Sequence, residues 1–240
     1  MAQPPVVLVV GASRGIGAAC VDEFLRLGAV VHGTWRSSGA NAERLQSRLG
    51  ARARRCDLGA PADARAVIEA VVALDGRLDA LVVAAGDYLP GTLEDHGSAS
   101  IEAQLAAQVV GPARAFEAAR THLRAARGAV VFFGVAGLEG LRGRRRSAAY
   151  CAAKSALLVL VRSWSLEEAT HGVRVNMVSP GVVPHPDADP ETLDPAVLAR
   201  VPLLGATTPG DLANAVRWLC STEARHVTGV DLPVAGGFAL

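Results

Sequence analysis

The sequence has almost no lysine. Of its 24 basic residues all but one are arginine, and Lys154 stands alone. Aromatic residues make up only 4% of the chain, and its two tyrosines are Tyr88 and Tyr150. No apolar run exceeds six residues, the length of Ala156 to Val161, so none can span a bilayer or form a signal-peptide core. Neither charge is in excess: 24 basic and 23 acidic side chains leave a net +1. That balance removes the basic surplus required by nucleic-acid or anionic-membrane partners, and points to a small-molecule partner. The four cysteines, Cys20, Cys56, Cys151 and Cys220, are far apart and lack metal-ligand spacing. They are expected as free thiols in a reducing, cytoplasmic compartment, with no metal site.

The chain has 240 residues, half of them hydrophobic, enough for one large domain or two small ones. No repeat, low-complexity tract or linker divides it, so residues 1–240 read as one domain. Strand-like runs occur at Pro5 to Val10, Ala29 to Thr34, Arg52 to Cys56, Ala80 to Ala84, Ala129 to Phe133, Val173 to Val178 and Val230 to Val234. They are continuous rather than alternating, as in parallel strands buried on both faces. Helix-period stretches lie between them at Gly17 to Leu27, Ala62 to Leu74, Ile101 to Ala126, Ala148 to Thr170 and Pro209 to Ser221. The alternation predicts an α/β fold: a single doubly wound domain with a parallel sheet of about seven strands and its ligand edge at the strand carboxyl ends. Pro180 to Pro209 is rich in proline and reads as a lid or as an ordinary surface excursion.

Between the first strand and the first helix lies Gly11-Ala12-Ser13-Arg14-Gly15-Ile16-Gly17. Glycines there permit a tight turn and let a helix N-terminus face a pyrophosphate, the Rossmann-type arrangement. An NAD site normally carries an acid at the end of the second strand to hold the ribose 2′-hydroxyl. Here no Asp or Glu occurs between Glu23 and Glu43, and the strand runs into Trp35-Arg36-Ser37-Ser38. Arg36 and Arg14 suit the 2′-phosphate of NADP(H).

Tyr150 and Lys154 are four apart within a helix-period stretch and project from one face. An ammonium beside a phenol favours the phenolate and brings the tyrosine toward a useful proton-transfer range. The lone lysine fits this task, since a guanidinium does not deprotonate.

With these residues in order, the chain resembles the short-chain dehydrogenase/reductase family over nearly its whole length. The resemblance rests on Gly11, Gly15 and Gly17, Asp57 after the third strand, Tyr150 with Lys154, Asn176 with Pro180-Gly181, and Thr228-Gly229 with Gly236-Gly237. It implies that Tyr150 gives a proton to a carbonyl oxygen while Lys154 holds the nicotinamide ribose, with hydride from NADPH. It implies cofactor contacts from Gly11, Ser13, Arg14, Gly15, Ile16, Gly17, Arg36, Ser37, Asp57 and Leu58. Further contacts are implied from Ala84, Ala85, Gly86, Tyr150, Lys154, Pro180, Gly181 and Val183. It also implies a homodimer or homotetramer, with the Ile101 to Ala126 and Ala148 to Thr170 helices as interfaces.

Departures from the family pattern shape the functional expectation. Val83-Ala84-Ala85-Gly86 replaces the usual Asn-Asn-Ala-Gly, and Gln108 stands where a relay asparagine is usual. Gly134 aligns with the substrate-orienting serine, so no hydroxyl remains there. Ser147 is the nearest hydroxyl in sequence and reads as a helix N-cap, and the threonine usual after Pro-Gly is absent before His185. Arg142, Arg144, Arg145 and Arg146 form either a solvated loop or a site for a carboxylate, phosphate or acidic carrier protein. The leading expectation is an NADPH-dependent reductase of a small or polyketide-like ketone. The alternatives are proton-only chemistry (dehydration, isomerisation or cyclisation) and a catalytically inactive NADP-binding protein.

Overall fold

In the computed structural model, which describes residues 3–140, 142–184, 193–203 and 205–238, every expected strand forms. They are β1 (Val6–Val10), β2 (Val30–Trp35), β3 (Ala53–Arg55), β4 (Ala80–Val83), β5 (Ala129–Phe133), β6 (Arg174–Pro180) and β7 (Asp231–Val234). All pair in parallel in the order β3-β2-β1-β4-β5-β6-β7. Every residue of β1, β4 and β5 is buried, which is why their sequences show no alternation.

Helices cover both faces: α1 (Gly15–Arg26), α2 (Ala40–Leu49), α3 (Pro61–Asp75), α4 (Leu93–Leu105), α5 (Gly111–Ala126), α6 (Ala148–Ala169), the short α7 (Pro195–Leu198) and α8 (Pro209–Cys220). On one face Leu81, Phe132 and Met177 pack against Val67 of α3, Phe116 of α5 and Leu157 of α6. On the other, Val9, Val82 and Val131 meet Phe24 of α1, Leu45 of α2 and Leu212 of α8. Strand order reverses between β1 and β4, and the crevice at their carboxyl ends is where such sheets bind ligands.

Three local features differ from the sequence expectation. Helix α2 was not anticipated because it is mostly polar and buries only Ala42, Leu45 and Leu49. The expected helix from Ile101 to Ala126 starts earlier, at Leu93, behind a Thr92–Asp95 capping box, and bends at Gly97 (φ 61°). It then widens into a π turn at Ala106–Val110. Pro112, just inside α5, has no N–H to offer the Gln108 carbonyl, which accounts for a wider turn there. Finally, Ser147 precedes α6, but its side chain caps nothing. Its ψ of 31° takes it out of the extended conformation that aims a cap oxygen at the first-turn amides, and its Oγ lies 3.6 Å from Cys151 Sγ.

The β1–α1 turn allows the closest backbone approach. A Cβ on Gly17 would stand 2.0 Å from the Gly11 carbonyl oxygen, whereas one on Gly28 (φ 78°) would meet nothing within 4 Å. Gly28→Ala is therefore expected to cost only the left-handed backbone penalty of about 1–2 kcal/mol. Gly17→Ala should cost clearly more, because backbone must move. Urea unfolding of both variants checks this; equal costs would contradict the packing.

Candidate active site

The nucleotide end is built on the turn after β1. Gly11 adopts φ 84°, and a Cβ there would stand 2.7 Å from the Ala85 amide nitrogen, so only glycine lets the ends of β1 and β4 approach. The Gly11 amide donates to Thr34 Oγ1 at 3.1 Å, and the Ala12 amide to the Thr34 carbonyl at 2.7 Å, fastening the turn to β2. Helix α1 then begins at Gly15 with no side-chain cap and no acid in its first turn. Its positive end is thus suited to an anion. Ser13, Gly15 and Ile16 are half-buried around this turn, with Arg14 exposed and Gly17 buried.

Arg36 leaves the end of β2 and forms a 2.8 Å ion pair with Asp87, beyond the end of β4. Because β2 and β4 flank β1, this pair reaches across the end of the glycine-turn strand. Ser37 is exposed beside it. A cleft of about 340 Å³ lies between α1 and α2, where Ser13 and Arg14 meet Asn41, Arg44 and Arg48. Asn41 and Arg44 escaped sequence reasoning because the helix carrying them did. After β3, Asp57 Oδ1 accepts the Gly59 amide at 2.9 Å, while Leu58 is buried and its carbonyl accepts from Arg114. Ala84 and Ala85 are half-buried at the β4 end, and Gly86 is exposed.

At the chemical end, α6 presents Tyr150 and Lys154 one turn apart. Lys154 is only 5% exposed, and its Nζ donates to the Phe133 carbonyl at 2.6 Å. Burial lowers its pKa to about 7. Tyr150 is half-buried, with Lys154 Nζ 5.5 Å from its ring centroid and Tyr88 edge-on at 5.1 Å. Burial raises the phenol above its ordinary value, with Cys151 and Tyr88 adding to the effect. The expectation that Lys154 draws Tyr150 down is therefore not met in this state: desolvation governs both groups, and the ammonium is turned to Phe133. Tyr150 keeps its proton at neutral pH.

Gln108 sits fully buried on the π turn. Its Nε2 donates to the Asp87 carbonyl at 2.8 Å and, more weakly, toward Gln104 Oε1 at 3.4 Å, so it holds the loop after β4. Its Oε1 has no partner among the described residues and lies 2.4 Å from where a Cβ on Gly86 would be. Asn176 is also fully buried: Nδ2 donates to the Val227 carbonyl and Oδ1 accepts the Val230 amide, pinning the entry to β7. Pro180, Gly181 and Val183 are half-buried after β6, and Gly181 admits Ala235, whose Cβ is 2.8 Å from its own missing one.

No side chain projects at Gly134, whose amide donates to the Val178 carbonyl at 2.9 Å. A Cβ there would lie 2.3 Å from Ser179 Oγ and 2.6 Å from Met177 Sδ. Of the arginine loop, Arg144 donates to the Ala136 carbonyl at 2.8 Å and is structural, while Arg142, Arg145 and Arg146 are exposed. The Arg146 carbonyl accepts the Gly91 amide at 2.8 Å, tying this loop to the segment bearing Tyr88. His185 lies outside the described residues. Among those residues no cluster of His, Cys, Asp and Glu is placed to hold a metal, and no helix is long and apolar enough to cross a membrane. All four cysteines are free; burial pushes Cys56 to about 11 and Cys220 to about 12.

Comparison with known proteins is consistent with this geometry. Residues 11–239 match the family model described as enoyl-(acyl carrier protein) reductase. L-fucose dehydrogenase of Oryctolagus cuniculus is 32% identical over 98% of this chain and 85% of its own. 2-(S)-hydroxypropyl-CoM dehydrogenase 3 of Xanthobacter autotrophicus is 35% identical over 97% of this chain and 95% of its own. Among solved structures, a blue fluorescent protein from a metagenomic library, in complex with NADPH, superposes with TM-score 0.89 at 31% identity, covering 98% of both chains.

Lys154 carries a stability prediction. Its folded pKa of about 7 lies below the ordinary lysine value of 10.5, so across that interval the unfolded chain binds the proton that the folded chain lacks. Stability should therefore rise with pH through this window, and the penalty should be complete below it. Relative to wild type, Lys154→Met should gain most thermal stability at pH 7 and below, with the gap closing toward pH 10. A pH-independent gap in thermal unfolding would contradict the burial of this amine.

Proposed function

We propose that this chain, which belongs to the short-chain dehydrogenase/reductase family, is an NADPH-dependent carbonyl reductase. The observation that carries the reading is the pairing of a protonated, half-buried Tyr150 with a buried Lys154 on α6, beside the end of β5. Cofactor choice is supported by the fit of the nucleotide end. Glycine-only backbone approaches at Gly11 and Gly17 make a cradle, and Arg14 and Arg36 supply cations where an NAD site would carry an acid. One solved relative is itself in complex with NADPH.

When bound, the nicotinamide supplies a hydride to the carbonyl carbon. Tyr150 Oη donates its proton to the carbonyl oxygen, so a C–H and an O–H bond form as the C=O double bond becomes single. A phenol held above its ordinary pKa is present as the acid at neutral pH, the form reduction needs. Lys154, released from Phe133, can turn to the ribose hydroxyls and place a positive charge near the phenolate left behind. Tyr150 then recovers its proton from solvent.

The substrate in this reading is a small or polyketide-like ketone. Tyr88, Leu89 and Leu93 are exposed apolar residues on the segment tied to the arginine loop, supporting an apolar body. Arg142, Arg145 and Arg146 support an anionic or carrier-bound one. A homodimer or homotetramer is supported by large apolar side chains left outward on α6, Val159 and Leu166. A second reading, proton transfer without redox change, is favoured by the missing hydroxyl at Gly134.

Cofactor absorbance with a panel of ketones tests the reading. Tyr150→Phe should lower NADPH oxidation by about 10²–10⁴-fold, the usual worth of a positioned acid, with NADPH affinity kept. Product formed with no loss of NADPH would favour the second reading. Arg36→Ala should weaken NADPH by about tenfold or more, as expected for a charged hydrogen bond, and leave NADH nearly unchanged. Equal weakening of both would contradict a 2′-phosphate contact.

A further inference from the structure

We propose that the Ser179 hydroxyl is the carbonyl-orienting donor of this site, entering from β6 through the space that Gly134 leaves open on β5. The inference rests on the reductase reading and adds a residue to it.

Strand register sets the geometry. Phe133 pairs with Val178, and the Gly134 amide donates to the Val178 carbonyl, so positions 134 and 179 lie side by side. Paired residues of parallel strands point to the same face. That face is the one on which Phe132 and Met177 pack beneath Leu157 of α6, the helix bearing Tyr150 and Lys154. Ser179 Oγ stands 2.3 Å from the point a Cβ at position 134 would occupy. This Ser179 conformation, together with Met177 Sδ at 2.6 Å from the same point, therefore excludes a side chain at 134. At this strand end the hydroxyl stands on β6 rather than on β5.

Ser179 is fully buried, and its Oγ has no hydrogen-bond partner among the described residues. Asp231 on β7 lies beside it, with a carboxyl that burial raises and that the Ser179 hydroxyl, as a hydrogen-bond donor, draws partly back. Yet Asp231 Oδ1 also lacks a partner, so the two groups are close without meeting at bonding geometry. Buried hydroxyls are normally paired, and an unpaired one calls for an acceptor that arrives from outside. A substrate carbonyl beside Tyr150 is such an acceptor. The hydroxyl is closed to water in the empty protein and already stands in the Gly134 space, so rotation about its Cα–Cβ bond from there toward the carbonyl accompanies substrate entry. Ser179 keeps its proton throughout; Tyr150 gives the one that is transferred.

The test compares wild type, Ser179→Ala and the double variant Gly134→Ser/Ser179→Ala, measuring ketone turnover, NADPH affinity and thermal stability for each. Ser179→Ala should lower kcat by about 10²-fold, as for loss of one oxyanion donor. Its NADPH affinity should be unchanged and its Tm equal or higher, because an unpaired buried hydroxyl is removed. The double variant should recover most of the lost rate by returning a hydroxyl to β5. A fully active Ser179→Ala overturns the proposal while leaving the reductase reading intact. So does a loss in Ser179→Ala that accompanies a fall in its Tm, or one that the double variant, folded with the Tm of wild type, fails to restore. A wild type that binds NADPH but reduces no ketone overturns the reductase reading, and this proposal with it.

Discussion

The site depends on one buried amine. Lys154 is the only lysine in the chain, is almost sealed from water, and donates a hydrogen bond to the carbonyl of Phe133. That contact joins the helix carrying Tyr150, the proposed proton donor, to the end of β5. It is bought with a desolvation penalty that brings the amine to about 7, so charge at this position is conditional rather than fixed. A guanidinium would not give it up. The same dryness keeps Tyr150 protonated, which makes the pair acid-ready before any ligand arrives.

Around that contact, the all-parallel sheet gives a simple division of labour. Strands buried on both faces leave no room for polar chemistry along their length, so the functional groups collect at their carboxyl ends. The β1–α1 turn and Arg36 lie toward one side of the crevice, and Gly134, Tyr150 and Lys154 toward the other. Between them, the loop after β4 serves both: Asp87 pairs with Arg36, its carbonyl accepts from Gln108, and its neighbour Tyr88 packs on Tyr150. This loop therefore touches both ends of the crevice.

Much of this was legible in the sequence because it depends on local pattern. Continuous apolar runs identify doubly buried strands, glycine spacing identifies the turn, and the separation of Tyr150 and Lys154 places them on one helix face. Other features depend on pairs remote in sequence. Ser179 meets Gly134 only through the register of β5 and β6, and Arg36 meets Asp87 only because β2 and β4 flank β1. Helix α2 was hidden by its few apolar positions, and the π turn by an effect of Pro112 that periodicity does not register. The assumed influence of Lys154 on the Tyr150 phenol failed for another reason. Spacing tells which residues are close, but not how dry their surroundings are.

The central claim is that this crevice transfers a hydride to a carbonyl carbon while Tyr150 protonates the oxygen. The most direct measurement is turnover of a ketone with NADPH deuterated at the transferable position, followed by mass and NMR analysis of the product. The account predicts an alcohol carrying one deuterium on the carbinol carbon, formed one for one with oxidised cofactor. A product free of deuterium, with the labelled cofactor recovered unchanged, would contradict it.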